Sequence, residues 1–271
     1  MSASADLAAR VAAVPWYHTI ELAPGLATPG EYDLRPVVPR LPIPPSLAGA
    51  RCLDVGTHDG FYAFELERRG AAEVVAIDLD DLADVDWPGL PPVRDEALAA
   101  ASERKSAAFW VAHEARRSRV ERRSLSVYDL SPEQHGTFDF AVIGTLLLHL
   151  RDPVRALAAI RGVARRLLVN DVVSLKLCAQ HPRTPVSRLL GRPGEPFWWI
   201  PNAAALRAYA VAAGWRVEAA GRPYLVPNGA GAKLEPLRSS VRRGANPVEA
   251  LVLRRGAPHA WVLCHADGHG R

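Results

Sequence analysis

Hydrophobic residues from position 51 onward form short runs, separated by stretches in which apolar positions recur every three or four residues. The runs predict buried strands at RCLDVG (51–56), EVVAID (73–78), RSLSVYDL (123–130), FDFAVIG (138–144) and RRLLVNDVVSL (165–175). The intervening stretches predict helices over 61–70, within 89–123, and over 153–164 and 202–213. Apolar runs at 215–226 and 260–265 predict two further strands, and 227–247 is expected to be a loop.

Strands that alternate with helices pair in parallel through right-handed crossovers. We therefore expect an α/β, Rossmann-like fold with a mostly parallel, seven-stranded sheet and helices on both faces. Residues 1–50 differ, because eight prolines leave room for one helix at about 5–13 and then turns. We expect this segment to be a lid on a single domain that spans 51–271.

The composition excludes some classes of protein. No apolar run approaches 18 residues, which predicts that no segment spans a membrane. The N-terminus has no basic start followed by an apolar stretch, so no secretory signal is expected. The three cysteines are scattered and odd in number, which fits reduced thiols and a cytoplasmic location.

The net charge of +4 raises the question of nucleic-acid binding. The densest basic cluster is predicted at a helix end and consists of Arg116, Arg117, Arg119, Arg122 and Arg123. Glu121 interrupts it, and basic residues at a helix C-terminus are stabilised by the helix dipole. We favour a solvated helix end, with nucleic-acid binding as the alternative.

The turn after the first predicted strand indicates a nucleotide site. It places Asp54 before a tight turn in which Gly56 and Gly60 let the backbone approach a ligand. In doubly wound sheets ligands bind beyond the carboxyl ends of the strands, where this turn lies. Asp54 is expected to face the ammonium group of a methionine moiety.

Asp78 ends the second strand, 22 residues after Gly56, where a carboxylate accepts both ribose hydroxyls. Dinucleotide binding is the competing interpretation, but it needs small residues that admit a pyrophosphate. His58 and Phe61 occupy those positions, which favours the phosphate-free nucleoside S-adenosylmethionine, with S-adenosylhomocysteine as product. The predicted cofactor site also includes Thr57, Phe61, Leu79, Tyr128 and Gly144.

Asp129 follows the predicted strand SLSVYDL and is expected to bind the adenine amino group. The backbone N–H of Leu130 would then face the adenine ring. The alternative is that Asp129 is a turn or cap residue before Pro132.

The chain resembles the methyltransferases related to the bacterial tRNA wobble-uridine carboxymethyltransferase, over roughly residues 16–221. The resemblance is carried by WYHTIEL, LDVGTHDGFYAFELERRGA with VVAID, VYDL, FDFAVIG, LLLHLRDP and FWWIPN. It implies a class I methyltransferase fold and S-adenosylmethionine as the methyl donor.

Two departures from this family favour a plain methyl group. The carboxymethyl-transferring members have a lysine in the segment before the core, whereas 16–22 contains none. They also have a tyrosine before the histidine of LLLH, where this chain has Leu148. A carboxylate on the donor would be left without partners. The shorter N-terminal segment also weakens the inference to tRNA.

Methyl transfer from a sulfonium mainly requires alignment and a dry pocket, with a base only for a protonated nucleophile. His149 lies after the fourth strand, and we expect it to be the base or a hydrogen-bond partner of the substrate. The alternative is that it orders the loop before Pro153. His18 and Glu21 are weaker candidates, and Asp171 is expected to be a turn residue.

Aromatic residues on both sides of the core are expected to form a pocket wall for the acceptor or to pack the lid; they are Trp16, Tyr17, Trp198 and Trp199, with His18 beside them. The tail holds His259, Cys264, His265 and His269, whose spacing matches no compact zinc pattern, so no metal is predicted.

These features predict an S-adenosylmethionine-dependent methyltransferase that acts on an oxygen, nitrogen or carbon of a small molecule in secondary metabolism. One alternative is an RNA-modifying enzyme of the tRNA wobble-uridine type with the same core. A further alternative is a non-catalytic protein that keeps the nucleoside pocket as a sensor. The acceptor and the oligomeric state are left open by the sequence.

Overall fold

A computed structural model of the chain describes residues 3–234 and 251–267. The chain begins with helix α1 (Ala3–Ala12), followed by a small hairpin of β1 (Glu21–Ala23) and β2 (Leu26–Ala27). A single turn of 3-10 helix (Val38–Arg40) precedes the first strand of the main sheet. The sequence predicted the helix, but not the hairpin.

The central part alternates strands and helices as predicted. The elements are β3 (Arg51–Val55), α2 (Phe61–Arg68), β4 (Glu73–Asp78), α3 (Glu96–Arg116), β5 (Glu121–Ser124), α4 (Pro132–His135), β6 (Phe140–Gly144), α5 (Pro153–Val163) and β7 (Arg166–Val172). Further 3-10 turns lie at Leu82–Asp84, Val127–Asp129 and Leu147–His149. These turns follow strands at their carboxyl ends, where they border the candidate site.

The C-terminal part adds α6 (Leu175–Gln180), β8 (Ser187–Leu189), β9 (Trp199–Pro201), α7 (Ala203–Ala212), β10 (Arg216–Ala220), β11 (Tyr224–Pro227) and β12 (Gly256–His265). Strands β8 and β9 form a separate hairpin. Residues 235–247 of the loop predicted over 227–247 lie outside the described residues.

The main sheet has the order β10-β12-β7-β6-β3-β4-β5, and β11 pairs with β12 beside β10. Strands β5, β4, β3, β6 and β7 are parallel, while β12 runs antiparallel to both β7 and β10. The mostly parallel sheet is confirmed, and β11 is an additional eighth strand. The strand order reverses at β3, which places a crevice at its carboxyl end.

Alternating side chains of the sheet supply two apolar layers, one on each face. In β3, Leu53 and Val55 pack toward α5 and α7, whereas Cys52 faces α2 and α3. The layer with Cys52 also contains buried apolar residues of the N-terminal segment, such as Trp16 and Leu34. The segment shares one core with α2 and α3, and we keep its role as a lid on a single domain as a proposal.

The structure corrects two predicted strands. The third strand ends at Ser124, and 127–129 forms a 3-10 turn capped by the Ser126 hydroxyl, which accepts the Tyr128 N–H. The strand predicted over 215–226 divides into β10 and β11 around Gly221 and Pro223, where Trp261 lies so close to Gly221 that a Cβ would overlap its indole. Hydrophobicity alone could not locate these breaks.

The structure also corrects the arginine cluster, which is not a single helix end. Helix α3 ends at Arg116, while Arg122 and Arg123 belong to β5. The Arg122 side chain is 3% exposed and pairs with Asp80, and Arg123 pairs with Glu121. Arg122 and Arg123 are therefore engaged in ion pairs within the fold.

Candidate functional site

A cavity of about 300 Å³ opens at the carboxyl ends of β3, β4 and β6, where the strand order reverses. Four segments supply most of its lining: the loop after β3, the end of β4 with the loop that follows, the turn after β5, and the turn after β6. The N-terminal segment contributes Tyr17 and His18, and α3 contributes Lys105.

The loop after β3 is anchored to β4 through backbone hydrogen bonds. The N–H groups of Gly56 and Thr57 both donate to the carbonyl of Ile77, at 2.9 and 3.0 Å. Gly56 has φ +76°, and a Cβ there would lie 2.9 Å from Cδ2 of Leu146. Gly56 lines the cavity, which agrees with its predicted place in a close-approach loop.

Asp54 and Thr57 lie outside the cavity lining, so their predicted contact with a ligand stays a prediction. Oδ2 of Asp54 accepts hydrogen bonds from the Thr57 hydroxyl (2.7 Å) and the Ala63 N–H (3.0 Å). Burial raises the pKa of Asp54 to about 7, although these two hydrogen bonds oppose the shift. Asp54 therefore organises the loop from inside the protein.

Gly60 and Phe61 also lie outside the cavity lining. Gly60 begins α2 at φ +92°, and a Cβ there would overlap the ring of Phe64. Phe61 is buried and packs against His18 and Tyr62, at 5.3 and 5.5 Å between ring centroids. The second glycine of the motif is thus required for helix packing.

Asp78 lines the cavity at the end of β4 as predicted, together with Leu79. Its carboxylate accepts the N–H groups of His58 and Leu79, each at 2.8 Å, and the Lys105 ammonium at 2.6 Å. Burial alone would raise the pKa of Asp78, but Lys105 outweighs it and holds that pKa below its usual range. The sequence did not indicate Lys105, because it lies 27 residues after Asp78 and no local pattern links the two.

The turn after β5 forms the apolar end of the cavity through Leu125 and Val127, with Tyr128 beside them. Asp129 and Leu130 lie outside the cavity lining, so their assignment to an adenine ring gains no support from the structure and stays a prediction. Asp129 is exposed, whereas Leu130 is buried in the core. Because β5 ends early, the residues that line the cavity here are 125–128, which precede Asp129 and Leu130 in the chain.

Residues 82–86 cover the cavity, and Asp86 fastens them to the turns on the opposite side. Its Oδ2 accepts the Tyr128 hydroxyl (2.7 Å) and the Arg151 N–H (2.8 Å), and its carbonyl accepts Nε1 of Trp198 (2.8 Å). Trp198 thus holds the covering loop and does not line the cavity.

Trp199 and Trp16 also lie outside the lining; of the residues expected to form the acceptor wall, Tyr17 and His18 line the cavity. Nε1 of Trp199 donates to the Arg151 carbonyl, and Nε1 of Trp16 donates to the Val11 carbonyl. Their role in the structure is packing of the segments around the site. Glu21, a weaker catalytic candidate, is exposed on β1 away from the cavity.

His18 lines the cavity and is held by Asp59, a residue that sequence reasoning missed. Nδ1 of His18 lies 2.5 Å from Oδ1 of Asp59, while Oδ2 accepts the N–H groups of Tyr17 (3.0 Å) and His18 (2.7 Å). Burial alone would raise the pKa of Asp59, but His18 and His58 lower it below the usual range. The N-terminal segment is therefore attached to the glycine loop through a buried carboxylate.

His149 lines the cavity from the turn after β6. Its Nδ1 donates to the Pro196 carbonyl at 2.7 Å, which leaves Nε2 as the hydrogen-bond acceptor in the neutral ring. Burial lowers the pKa of His149 and favours this neutral form. Asp171 was expected to be a turn residue, but it lies within β7, and its Oδ2 accepts the N–H groups of Leu146 and Leu147, which fixes the turn after β6.

A buried polar network supports the floor of the cavity at Gly144 and Thr145, both of which line it. Nδ1 of His259 donates to the Ala257 carbonyl, so Nε2 accepts the Thr145 hydroxyl at 3.0 Å. Burial lowers the pKa of His259 to about 4. His259 is thus a neutral structural residue, because both of its ring nitrogens are engaged.

Among the residues that the structure describes, no group of three or more histidine, cysteine or acidic side chains is arranged to hold a metal ion. Across the same ranges, no helix combines the length and the apolar character that a membrane crossing requires. His269 of the tail lies outside the described residues.

Comparison with solved structures identifies the fold. The chain is similar to the N-terminal domain of EvdMO1 with SAH bound, at 15% identity and TM-score 0.50, with 98% of each chain covered. It spans about half of full-length EvdMO1, at 14% identity and TM-score 0.52. It is also similar to YcgJ from Bacillus subtilis, at 12% identity and TM-score 0.50, over 82% of this chain and 94% of that one.

No protein-family profile and no curated protein sequence matches the chain. At these low identities the structural likeness concerns the fold, so the tRNA wobble-uridine family of the sequence resemblance is not confirmed. The fold of the chain is that of the class I methyltransferases, a mostly parallel α/β sheet with the cavity at its switch point.

Proposed function

We propose that the protein transfers a methyl group from S-adenosylmethionine to a small-molecule acceptor and releases S-adenosylhomocysteine. One observation carries this proposal: a carboxylate that is only 9% exposed, Asp78, stands between a glycine loop and an apolar slot at the switch point of the sheet. The likeness to a domain described with SAH bound supports the choice of donor.

The residues of the cavity fit an adenosine. Leu125 and Val127 offer an apolar slot for a planar base, and Asp78 offers carboxylate oxygens to ribose hydroxyls. His58 lines the loop where a dinucleotide site needs a small residue for the pyrophosphate. The same geometry therefore favours a nucleoside without phosphates over a dinucleotide.

The bound donor would supply an activated methyl group, so the chain itself supplies alignment and exclusion of water. We propose that Gly56, Leu79 and Gly144 shape the donor side of the cavity. Asp86 holds the covering loop closed through its three hydrogen bonds. His149, with Nε2 free to accept, is proposed to bind the acceptor through a hydrogen bond.

The proposal of a small acceptor rests on enclosure and charge. The cavity is bordered by the N-terminal segment and by the loop at 82–86, and its charged lining is acidic apart from Lys105, with Asp78, Asp84 and Asp86. Binding of an RNA backbone relies on lysine and arginine contacts to phosphates, and the two arginines of β5 pair instead with Asp80 and Glu121.

Mass spectrometry tests the proposal directly. Cell extract, separated into a small-molecule fraction and total tRNA, is incubated with the enzyme and methyl-labelled S-adenosylmethionine. We expect label in the small-molecule fraction and none in tRNA beyond that of an Asp78→Ala control. Label confined to tRNA would contradict the acceptor class, and no transfer in either fraction would contradict methyl transfer itself.

A further inference from the structure

A histidine and a buried carboxylate face each other at the junction of the N-terminal segment and the glycine loop. Asp59 is fully buried (0% exposed), and His18 is 6% exposed. Nδ1 of His18 lies 2.5 Å from Oδ1 of Asp59, which is within the range of a charge-assisted hydrogen bond. The pair is 41 residues apart along the chain, so the fold has to assemble it.

The hydrogen bonds around Asp59 fix the protonation pattern of His18. Oδ2 of Asp59 is occupied by the N–H groups of Tyr17 and His18, which are donors only. An ionised carboxylate can only accept, so the proton in the remaining contact belongs to Nδ1 of His18. In the neutral ring Nε2 then carries the lone pair, and it forms no hydrogen bond with any described residue.

The position of His18 makes this lone pair useful, because the residue lines the cavity next to Tyr17 and His58. The ring is held on its other sides by Tyr17 at 4.7 Å and by Phe61 at 5.3 Å between centroids. A base oriented by a carboxylate on its far nitrogen is the arrangement that stabilises an imidazolium when a proton is taken up. Nδ1 of His149, by contrast, contacts the backbone carbonyl of Pro196 and no carboxylate.

We infer that His18 is the general base for a hydroxyl acceptor and that Asp59 is its positioning residue, an inference that rests on the proposed methyl transfer. The acceptor oxygen forms a bond to the methyl carbon as the carbon–sulfur bond breaks, and the sulfur keeps that electron pair. The hydroxyl proton moves to Nε2 of His18 and then to solvent. The products are a methyl ether, S-adenosylhomocysteine and one proton.

The presence of an oriented base points to oxygen as the nucleophile. An alcohol is a poor nucleophile until its proton is removed, so a base accelerates the reaction by about 100- to 10,000-fold. A neutral amine already has a free lone pair and can lose its proton after the transfer. The charged and titratable groups around His18 are Asp54, Asp59, His58, His259 and Tyr17.

The test separates donor binding from proton removal. Calorimetry with S-adenosylhomocysteine measures the donor site without any acceptor. Transfer is measured with labelled S-adenosylmethionine and the small-molecule fraction of cell extract. The variants are His18→Asn, whose amide can still donate to Asp59, and Asp59→Asn, with His18→Gln as a second probe if the first fails to fold. The exposed His181→Asn variant is the matched control.

We expect His18→Asn to bind S-adenosylhomocysteine within threefold of wild type and to lose transfer at least 100-fold, as loss of a general base predicts. Its residual rate should rise about tenfold per pH unit, because hydroxide replaces the missing base. Asp59→Asn should retain donor binding, lose at least tenfold in rate and change the pH–rate profile. The labelled product should withstand ester hydrolysis and lose methanol on fragmentation.

Three results would overturn the inference: wild-type transfer by His18→Asn, loss of donor binding in that variant, or label found only on nitrogen or sulfur. Failure of the wild-type protein to bind S-adenosylhomocysteine would instead contradict the proposed function. The two proposals are therefore separable.

Discussion

The ammonium of Lys105 lies 2.6 Å from Oδ1 of Asp78 and 2.7 Å from the carbonyl of Leu79. This contact joins the middle of α3 to the end of β4 at the cavity wall. The two side chains are only 16% and 9% exposed, so solvent screens the pair weakly. A ribose that binds at Asp78 therefore has to share the carboxylate with Lys105.

Replacement of Lys105 by methionine should destabilise the fold, because it leaves the buried carboxylate of Asp78 without its cation. Loss of one partner of such a pair lowers the free energy of unfolding by about 3 kcal/mol. Urea unfolding of Lys105→Met measures this, with the exposed Lys176→Met as control. The double variant Asp78→Asn/Lys105→Met should lose less than the sum of the single variants. Strict additivity would contradict a direct pair.

Donor affinity should depend on Asp78 and not on Asp129. We expect Asp78→Ala to weaken binding of S-adenosylhomocysteine at least tenfold, because removal of a carboxylate that accepts ribose hydroxyls costs more than about 1.4 kcal/mol. Asp129→Ala should change affinity less than twofold, since Asp129 lies outside the cavity. Calorimetry measures both. A larger loss for Asp129→Ala than for Asp78→Ala would restore the adenine role that the sequence suggested.

The raised pKa of Asp54 should make the protein lose stability as pH rises. Its pKa is about 7 in the folded chain, against 3.8 for an ordinary aspartate, so the folded state binds the proton more tightly between these values. The free energy of unfolding therefore falls as pH rises from about 4 through 7. Asp54→Asn, which cannot ionise, should melt several degrees above wild type at pH 8 and close to it at pH 5.

The opposite dependence is expected for His259, whose pKa falls to about 4 in the folded chain. The unfolded chain then binds the proton more tightly, so this contribution to stability is present above the ordinary value of 6.5 and is lost as pH falls toward 4. His259→Gln should flatten the acid side of a stability–pH curve measured by urea unfolding. If His259→Gln lost stability at acid pH as steeply as wild type, other titratable groups would control this loss.

Gly60→Ala tests whether the second glycine of the motif is needed for packing. A Cβ at φ +92° would overlap Phe64 and also approach Phe109 at 2.9 Å, so we expect a loss of about 3 kcal/mol. Gly70→Ala is the control, because Gly70 has φ +88° with open space around it, and should cost about 1 kcal/mol. Folded Gly60→Ala should retain donor affinity. Equal losses in the two variants would contradict the packing argument.

The local pattern of apolar and polar residues was sufficient to predict most of the fold. Buried strands such as β3 and β4 are short apolar runs, and Asn202 before α7 has the capping side chain that a helix start requires. The third strand was misplaced because Leu125 and Val127 continue the apolar pattern beyond Ser124, although the backbone turns there. The periodicity of apolar residues indicates which face of a strand is buried, but not where the pairing of that strand with its neighbour ends.

The site was predictable where it depends on the carboxyl ends of strands, as for Gly56 and Asp78. The contacts that hold it together were not, because Asp59 meets His18 and Lys105 meets Asp78 only after the chain has folded. The tryptophans show the converse case. Trp198 and Trp199 were expected at a ligand, yet each donates its indole N–H to a backbone carbonyl that orders a loop.

A calorimetric titration of the wild-type protein with S-adenosylmethionine, its carboxylated analogue and NAD measures most directly which donor the cavity binds. We expect saturable one-to-one binding of S-adenosylmethionine, weaker binding of the carboxylated analogue and no heat from NAD. Tight binding of NAD without a response to S-adenosylmethionine would contradict the proposed donor.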